Sequence, residues 1–389
     1  MCFLSLMKYI KIEFTMAWPI PDIPDEKSLP RPKFWFWILV LVLMLIMGAI
    51  SSLWIWKKVT YAEVFFYGAL PASLIWLCLF GGVFNRYEQS VAACRAWDCE
   101  REQTKAEWRN WSRQQLAVVG NVLFSPEEKG MEALLDELEK VPAFPKKVRP
   151  LFNSQYNFQD FMKETDRKLE LQHPGYRYSL HSVYVYQSPD RIDEKRIELI
   201  SQQWDLIPNL IYSMKTLDAF YDEKNFDGLI LVLCLQDWPP GRTGQSSEFI
   251  SAQLITSSAY AQQQSLPIIA GITRMMPLEV GKLKNELDMF FDYVQPDKQN
   301  LEYVWLLGDA EKTAAEIMQY ATRHHWPLPE ERPLHSIDLS FGPPGEAALP
   351  LSLAMLAEAV TKKDKDQLLV SQIAQQTGTL CLITRELFT

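Results

Sequence analysis

"LHSIDLSFGPPGEAALPLSLAMLAEAV", Leu334 to Val360, poses the question that decides the fold. A strand pattern from His335 to Phe341 meets Pro343-Pro344-Gly345, and a helix pattern follows from Leu349. That helix is small or apolar nearly all the way round. A helix covering one face of a sheet keeps a polar stripe, so one without a stripe is expected to be buried on both sides. "LILVLCLQDWPPGRTGQSSEFISAQLITSSAYA", Leu229 to Ala261, repeats the plan about 105 residues earlier. Here a strand pattern meets Pro239-Pro240-Gly241, and Ile250 to Ala261 reads as a second helix without a polar stripe. Two such units predict two related halves, each giving a central helix between two sheets.

Working outward, strand and helix patterns alternate through residues 116–389, which predicts an α/β domain. "LAVVGNVLF", "YSLHSVYVYQ", "DGLILVLCL", "PIIAGITRM", "NLEYVWLLG" and "HSIDLSF" read as strands, and "QLLVSQIAQ" with "TGTLCLITREL" as a closing hairpin. "DEKRIELISQQW", "PNLIYSMKTLDAFYDE", "LEVGKLKNELDMFFDYV" and "AEKTAAEIMQYATRHHW" read as helices. The paired Pro-Pro-Gly units and buried helices resemble the thiolase-like fold, with its layers of helix, sheet, helix, sheet, helix. In active members of that superfamily the first-half buried helix begins with a nucleophilic Cys, and catalytic His residues lie near a Gly-rich turn of the second half. The resemblance places Ser246-Ser247-Glu248 at the first position and Phe341-Gly342-Pro343-Pro344-Gly345-Glu346, without His, at the second. It therefore implies a domain without condensing chemistry.

The N-terminal third is of another kind. Phe34 to Trp56 holds no charge and carries Trp35, Trp37, Trp54 and Trp56 at its ends, as a membrane span with aromatic belts does. Val64 to Phe84 is a second uncharged run, with Pro71 inside it, and only Lys57 to Glu63 lie between the two. The expectation is a transmembrane hairpin over 34–84 (spans 34–56 and 64–84), a Pro-rich arm over 1–33 lying along the membrane surface, a helical stalk over 85–115, and the α/β domain over 116–389. Lys27, Arg31 and Lys33 precede the first span and Arg86, Arg95 and Arg101 follow the second, against Lys57 and Lys58 between them. This asymmetry predicts that both termini lie in the cytoplasm.

The net charge is −9, and residues 1–84 hold seven Lys/Arg against five Asp/Glu, so the remainder carries −11. An acidic domain makes a poor nucleic-acid binder, because phosphate neutralisation needs a basic face. Of the six Cys, only Cys94 and Cys99 are close, at a spacing that separates them on a helix. Reduced thiols are expected, with no disulfide and no metal site.

The segment "GRTGQSS" offers Gly241, Gly244 and Arg242 for an anion, and Ser247 for a nucleophile elbow. It matches neither Gly-x-x-x-x-Gly-Lys-[Ser/Thr] nor Gly-x-Ser-x-Gly, and its prolines remove two N–H donors. The plainer expectation is that Ser246 or Ser247 caps a helix, with Glu248 in its first turn and Asp237 paired to Arg242. Asp237, Arg242, Ser246 and Ser247 are the candidates for partner or anion binding, with no catalytic residue and no cofactor assigned. The stretch "DEKSLPRPKFWFWILVLVL" and the paired Pro-Pro-Gly units look similar to bacterial inner-membrane proteins found with type VI secretion systems, the type VI lipase adapter family being the nearest group. That resemblance implies a tethered, non-catalytic adapter whose partners are the bilayer and a secretion effector or component, with a second copy of the chain as a further candidate. The competing class is a hydrolase or acyl-transferase-like enzyme with a site near Asp237, Arg242 and Ser247.

Overall fold

The computed structural model describes residues 16–55, 60–136, 147–152, 156–186, 193–222, 226–238, 243–279, 281–308, 311–330, 332–343, 345–372 and 378–388. The chain forms two compact units, Pro21–Glu107 and Met1–Ile20 with Trp108–Thr389.

In the first unit, α1 (Phe34–Ile55) and α2 (Tyr61–Ser112) are both long and apolar enough, by length and composition, to cross a membrane. They touch through small residues. A Cβ on Gly48 would lie 2.5 Å from the Gly68 carbonyl oxygen, and one on Gly68 would lie 2.5 Å from that of Gly48. Trp76 Nε1 donates to the Trp37 carbonyl at 2.8 Å, and Phe80 stacks on Trp76 at 5.0 Å. The described part of the Pro-rich arm is held to α2 by hydrogen bonds. Trp97 Nε1 donates to Pro24 O, Cys94 Sγ to Glu26 O, and Leu29 N to Ser90 Oγ, at 3.0, 2.8 and 3.2 Å. The arm thus runs antiparallel along α2. Its prolines bar regular structure but leave carbonyls free to accept from the helix.

The second unit is built on an eleven-stranded sheet. Its first half holds β1 (Gln115–Phe124), β2 (Leu180–Tyr186), β3 (Asn209–Ile211), β4 (Leu229–Gln236) and β5 (Phe249–Ser257). The second holds β6 (Ala270–Thr273), β7 (Met276–Leu278), β8 (Leu301–Gly308), β9 (Leu334–Ser336), β10 (Asp366–Gln372) and β11 (Gly378–Thr384). The path β3-β2-β4-β5-β1-β6-β11-β10-β8-β9 reads identically from both ends: third, second, fourth, fifth, first. In each half the fifth strand is antiparallel to both neighbours, and the second is parallel to the third and fourth. β1 and β6 join the halves through Gln115–Val118 and Ala270–Thr273, and β7 extends the β6 side along β11.

Alternation along the strands gives three layers of core. Leu229, Leu231, Leu233 and Leu235 of β4, with Ile250, Ala252 and Leu254 of β5, pack under α4 (Phe158–Gln172) and α5 (Glu194–Trp204). Leu368 and Val370 of β10, with Leu380 and Leu382 of β11, pack under α7 (Leu283–Val294) and α8 (Glu311–Arg323). The opposite faces, including Val232, Phe249, Trp305 and Ile383, meet in a middle layer filled by α9 (Ala348–Lys363). α9 touches β1 and β5 of one half and β6, β10 and β11 of the other. Its Leu351, Leu353, Ala354, Met355, Leu356 and Ala357 are fully buried, which is why it shows no polar stripe. The Ser352 hydroxyl donates to Ala348 O at 2.7 Å, so even its one central polar side chain is satisfied within the helix.

The expected second central helix is absent. Phe249 to Ser257, the heart of "FISAQLITSSAYA", is strand β5, and only Ser258–Gln263 (α6) is helical. A strand paired on both edges and covered on both faces has no polar side, so its apolar run imitates a buried helix. By strand order the first-half counterpart of α9 lies between β3 and β4. There it is reduced to two single turns, Met214–Leu217 and Ala219–Asp222.

Candidate functional site

The β4–β5 connection is where the sequence placed its candidates, and those among the described residues, Asp237, Ser246 and Ser247, are each held by hydrogen bonds. Arg196 of α5 grips Asp237 through two bonds of 2.7 Å and lies over the Phe158 ring at 4.9 Å. Arg196 is thus a partner of Asp237 among the described residues; Arg242, with which the sequence paired it, lies outside them. Ser247 is fully buried, its hydroxyl accepts from Arg149 N at 3.1 Å, and its own N–H donates to Pro343 O at 2.8 Å. Glu248 accepts from Trp238 N at 2.6 Å and from Leu151 N at 3.0 Å. The Ser246 carbonyl accepts from Trp238 Nε1 at 2.7 Å. Since the next element is a strand, neither serine caps a helix and Glu248 occupies no first turn. Glu248 instead holds two loop backbones together.

The second Pro-Pro-Gly turn packs directly on this connection. Gly342 has φ 80°, and a Cβ there would lie 2.2 Å from Lys147 O and 2.6 Å from Ser247 Oγ. Gly345 has φ 68°, and its Cβ would meet Ser246 Cβ at 2.6 Å. Both positions need glycine for conformation and for space. Gln236 donates from Nε2 to Ser247 O at 2.8 Å, and its Oε1 accepts from Ala347 N at 3.4 Å, bridging the start of β5 and the start of α9. The segments that flank the two motifs, Ser246–Ser247 of the one and Gly342–Pro343 with Gly345 of the other, therefore meet, while Pro239 to Arg242 lie outside the described residues.

The thiolase-like resemblance led to a nucleophile position at Ser246-Ser247. Strand order moves that position to the start of the reduced central element, at Ser213, which caps it by accepting from Lys215 N at 3.3 Å. No Cys occurs between Tyr212 and Asp222. Beside Ser213 opens a cavity of about 670 Å³ at the carboxyl ends of β2 and β3, where α/β sheets place ligands. Its walls come from Trp18, Trp111, Tyr186, Tyr212, Asp218 and Glu346, among others. Arg274 closes the floor, bonded to Asp222 through two nitrogens and to Trp111 O at 3.0 Å. Burial holds the Asp218 carboxyl above the usual carboxylate range, against the opposing pull of Arg274 and Lys215.

The histidines serve packing. His335 stacks on Trp305 at 4.7 Å, and burial, with Arg332 and Lys363 nearby, holds it down to about 4. His324 stacks on Tyr320 at 4.2 Å and lies 3.8 Å from Asp288. Cys234 and Cys381 are buried in the middle layer, and burial raises both thiols, Cys381 to about 12. None of these groups lines the cavity.

No protein-family model and no curated protein matches the chain. Solved structures do. One is a type II polyketide synthase acyl-carrier protein in complex with its ketosynthase bound to the hexaketide, with TM-score 0.52, 8% identity, and 70% of this chain and 100% of that one covered. Another is the Streptomyces albus JA3453 oxazolomycin ketosynthase domain, with TM-score 0.50, 10% identity, and 70% and 96% covered. Together with the duplicated strand order and the layers of helix, sheet, helix, sheet, helix, these neighbours define the domain as a thiolase-like fold. At such identities the likeness is one of fold alone.

Proposed function

We propose that the chain is a membrane-tethered binding protein whose thiolase-like domain holds a protein partner and performs no condensation. The observation that carries this reading is the reduction of the first-half central helix to two single turns capped by Ser213, with no Cys from Tyr212 to Asp222. Condensing chemistry by covalent catalysis needs an activated nucleophile with a base in reach, and the 341–346 turn supplies no His. Two uncharged runs, 34–56 and 64–84, and the close packing of α1 on α2 at Gly48 and Gly68 support the tether; the six-to-two Lys/Arg balance favours both termini in the cytoplasm, and the resemblance to bacterial inner-membrane proteins suggests that membrane. The resemblance of "DEKSLPRPKFWFWILVLVL" to type VI secretion-associated proteins makes an effector or component of that system the first partner to test. The candidates Asp237, Arg242 and Ser246, beside the buried Ser247, mark the surface proposed for that partner.

The second reading is an acyl-transferase-like enzyme, favoured by ketosynthase neighbours and by a cavity beside Ser213. Tagged full-length protein, purified from detergent-solubilised membranes, separates the two. The binding reading expects a stoichiometric secretion component that is lost when Trp238 and Ser246 are both changed to Ala. Turnover of an acyl-thioester, with no such partner, would favour the enzyme.

A further inference from the structure

The internal duplication allows one half to be measured against the other. In the second half the middle layer is filled by the sixteen residues of α9. In the first half the corresponding slot holds two turns of four residues each, Met214–Leu217 and Ala219–Asp222. The cavity of about 670 Å³ lies against those turns and includes Met214, Asp218 and Asp222 in its wall.

The chemistry left facing that space is distinctive. Four aromatic rings line it, from Trp18, Trp111, Tyr186 and Tyr212. Arg274 already lies over Trp111 at 4.4 Å and over Tyr221 at 4.9 Å, so ring faces here accept a cation within the protein itself. Asp222 is spent on Arg274. The carboxylates of Asp218 and Glu346 make no hydrogen bond and no ion pair among the described residues. Lys215 is the one further cation of the wall, and it is exposed. With Asp218, Asp222 and Glu346 against Lys215 and Arg274, the wall carries one net negative charge, even with Arg274 and Lys215 both attracting Asp218. Met16, Met214, Met275 and Leu349 supply apolar wall beside them.

We propose that this cavity binds an organic cation, an ammonium group carried on a short apolar body, with Asp218 and Glu346 facing the charge and Tyr186, Tyr212 and Trp18 presenting their rings to it. An acyl chain with a carboxylate head meets the same apolar wall but is opposed by both acids. Occupancy of the cavity is separate from partner capture: co-purification reports the one and direct titration the other.

The test uses the full chain in lipid nanodiscs, with empty nanodiscs giving the partition background. Calorimetric titration compares hexyltrimethylammonium, 1-hexanol and hexanoate, which place a cationic, a neutral and an anionic head on the same body. The cation is expected to bind saturably and about tenfold or more tighter than hexanol, the scale of one desolvated cation–π or ion-pair contact, with hexanoate weakest. Asp218→Asn brings the cation close to hexanol, and Ser213→Trp, at an exposed position on the rim, blocks all three. If Asp218→Asn fails to fold, Tyr212→Ala, also at an exposed position, replaces it and lowers the advantage of the cation. Equal affinity for the three heads, preference for hexanoate, no binding of any, or a cation preference unmoved by these substitutions would overturn the proposal.

Discussion

Ala354 sits at the centre of the architecture. It is fully buried on α9, between the two half-sheets, and its carbonyl accepts from Asn121 Nδ2 of β1 at 3.0 Å. Replacing it with Glu adds four heavy atoms beyond Cβ to a space with no room for them, and overpacking of that kind costs about 1–3 kcal/mol. The carboxyl must also stay neutral, and a buried Glu shifted upward by about 3 units adds about 4 kcal/mol at pH 7. The total, about 5–7 kcal/mol, rivals the whole stability of an ordinary domain. Any folded protein recovered should melt at least about 10 °C lower by near-ultraviolet circular dichroism, with a larger deficit at pH 9 than at pH 5. Gln103→Glu, at an exposed position on α2, is the control and should stay within about 0.5 kcal/mol of the parent. An unchanged midpoint for Ala354→Glu at pH 7 would mean that α9 lies on a surface, and the layered account would fail with it.

Gly48→Leu should separate α1 from α2, because its Cβ would meet the Gly68 carbonyl oxygen at 2.5 Å, while Gly81→Leu, which faces open space, should not. Unfolding in mixed micelles reads the difference, and equal resistance of the two variants would count against the hairpin. Glu358 is held up to about 7, chiefly by burial, while a backbone bond at Met131 and the nearby Lys362 and Lys168 pull it the other way. A carboxyl raised above its unfolded value binds its proton more tightly in the native state, so its contribution is favourable at low pH and is lost as pH rises from about 4.5 to 7. Glu358→Gln should therefore match the parent near pH 4.5 and exceed it by about 3 kcal/mol at pH 8, as measured by thermal melts across that range. A reporter fused after Thr389 should be active in the cytoplasm, and periplasmic activity would reverse the orientation assigned from the Lys/Arg balance.

Much of the fold was legible, for a physical reason. The closing strands, α9 and the outer helices all showed periodicities set by what covers them. β5 misled because burial on every side erases the contrast that a moment detects, yet its period of two was present: Phe249 and Ile255 face the middle layer, while Ile250, Ala252 and Leu254 face outward. "PNLIYSMKTLDAFYDE" read as one helix because β3 is only three residues long and the turns after it keep helical spacing. The candidate site was less legible. Asp237 and Ser247 were found, but their partners, Arg196 and Arg149, lie in distant elements that no local spacing connects. The cavity draws its wall from residues as far apart as Trp18 and Thr379, and only the strand order, read from both ends, points to Ser213 as its edge.

The claim that this thiolase-like domain binds without condensing has a direct measurement. Full-length protein is incubated with an excess of a medium-chain acyl-thioester at pH 7.5, and its intact mass and peptide map are recorded. The account predicts an unmodified chain, because no activated nucleophile stands at Ser213 and the thiols of Cys234 and Cys381 are buried and protonated. A stable acyl adduct on Ser213, Ser246, Ser247 or a buried Cys, formed at a stoichiometry near one, would contradict it.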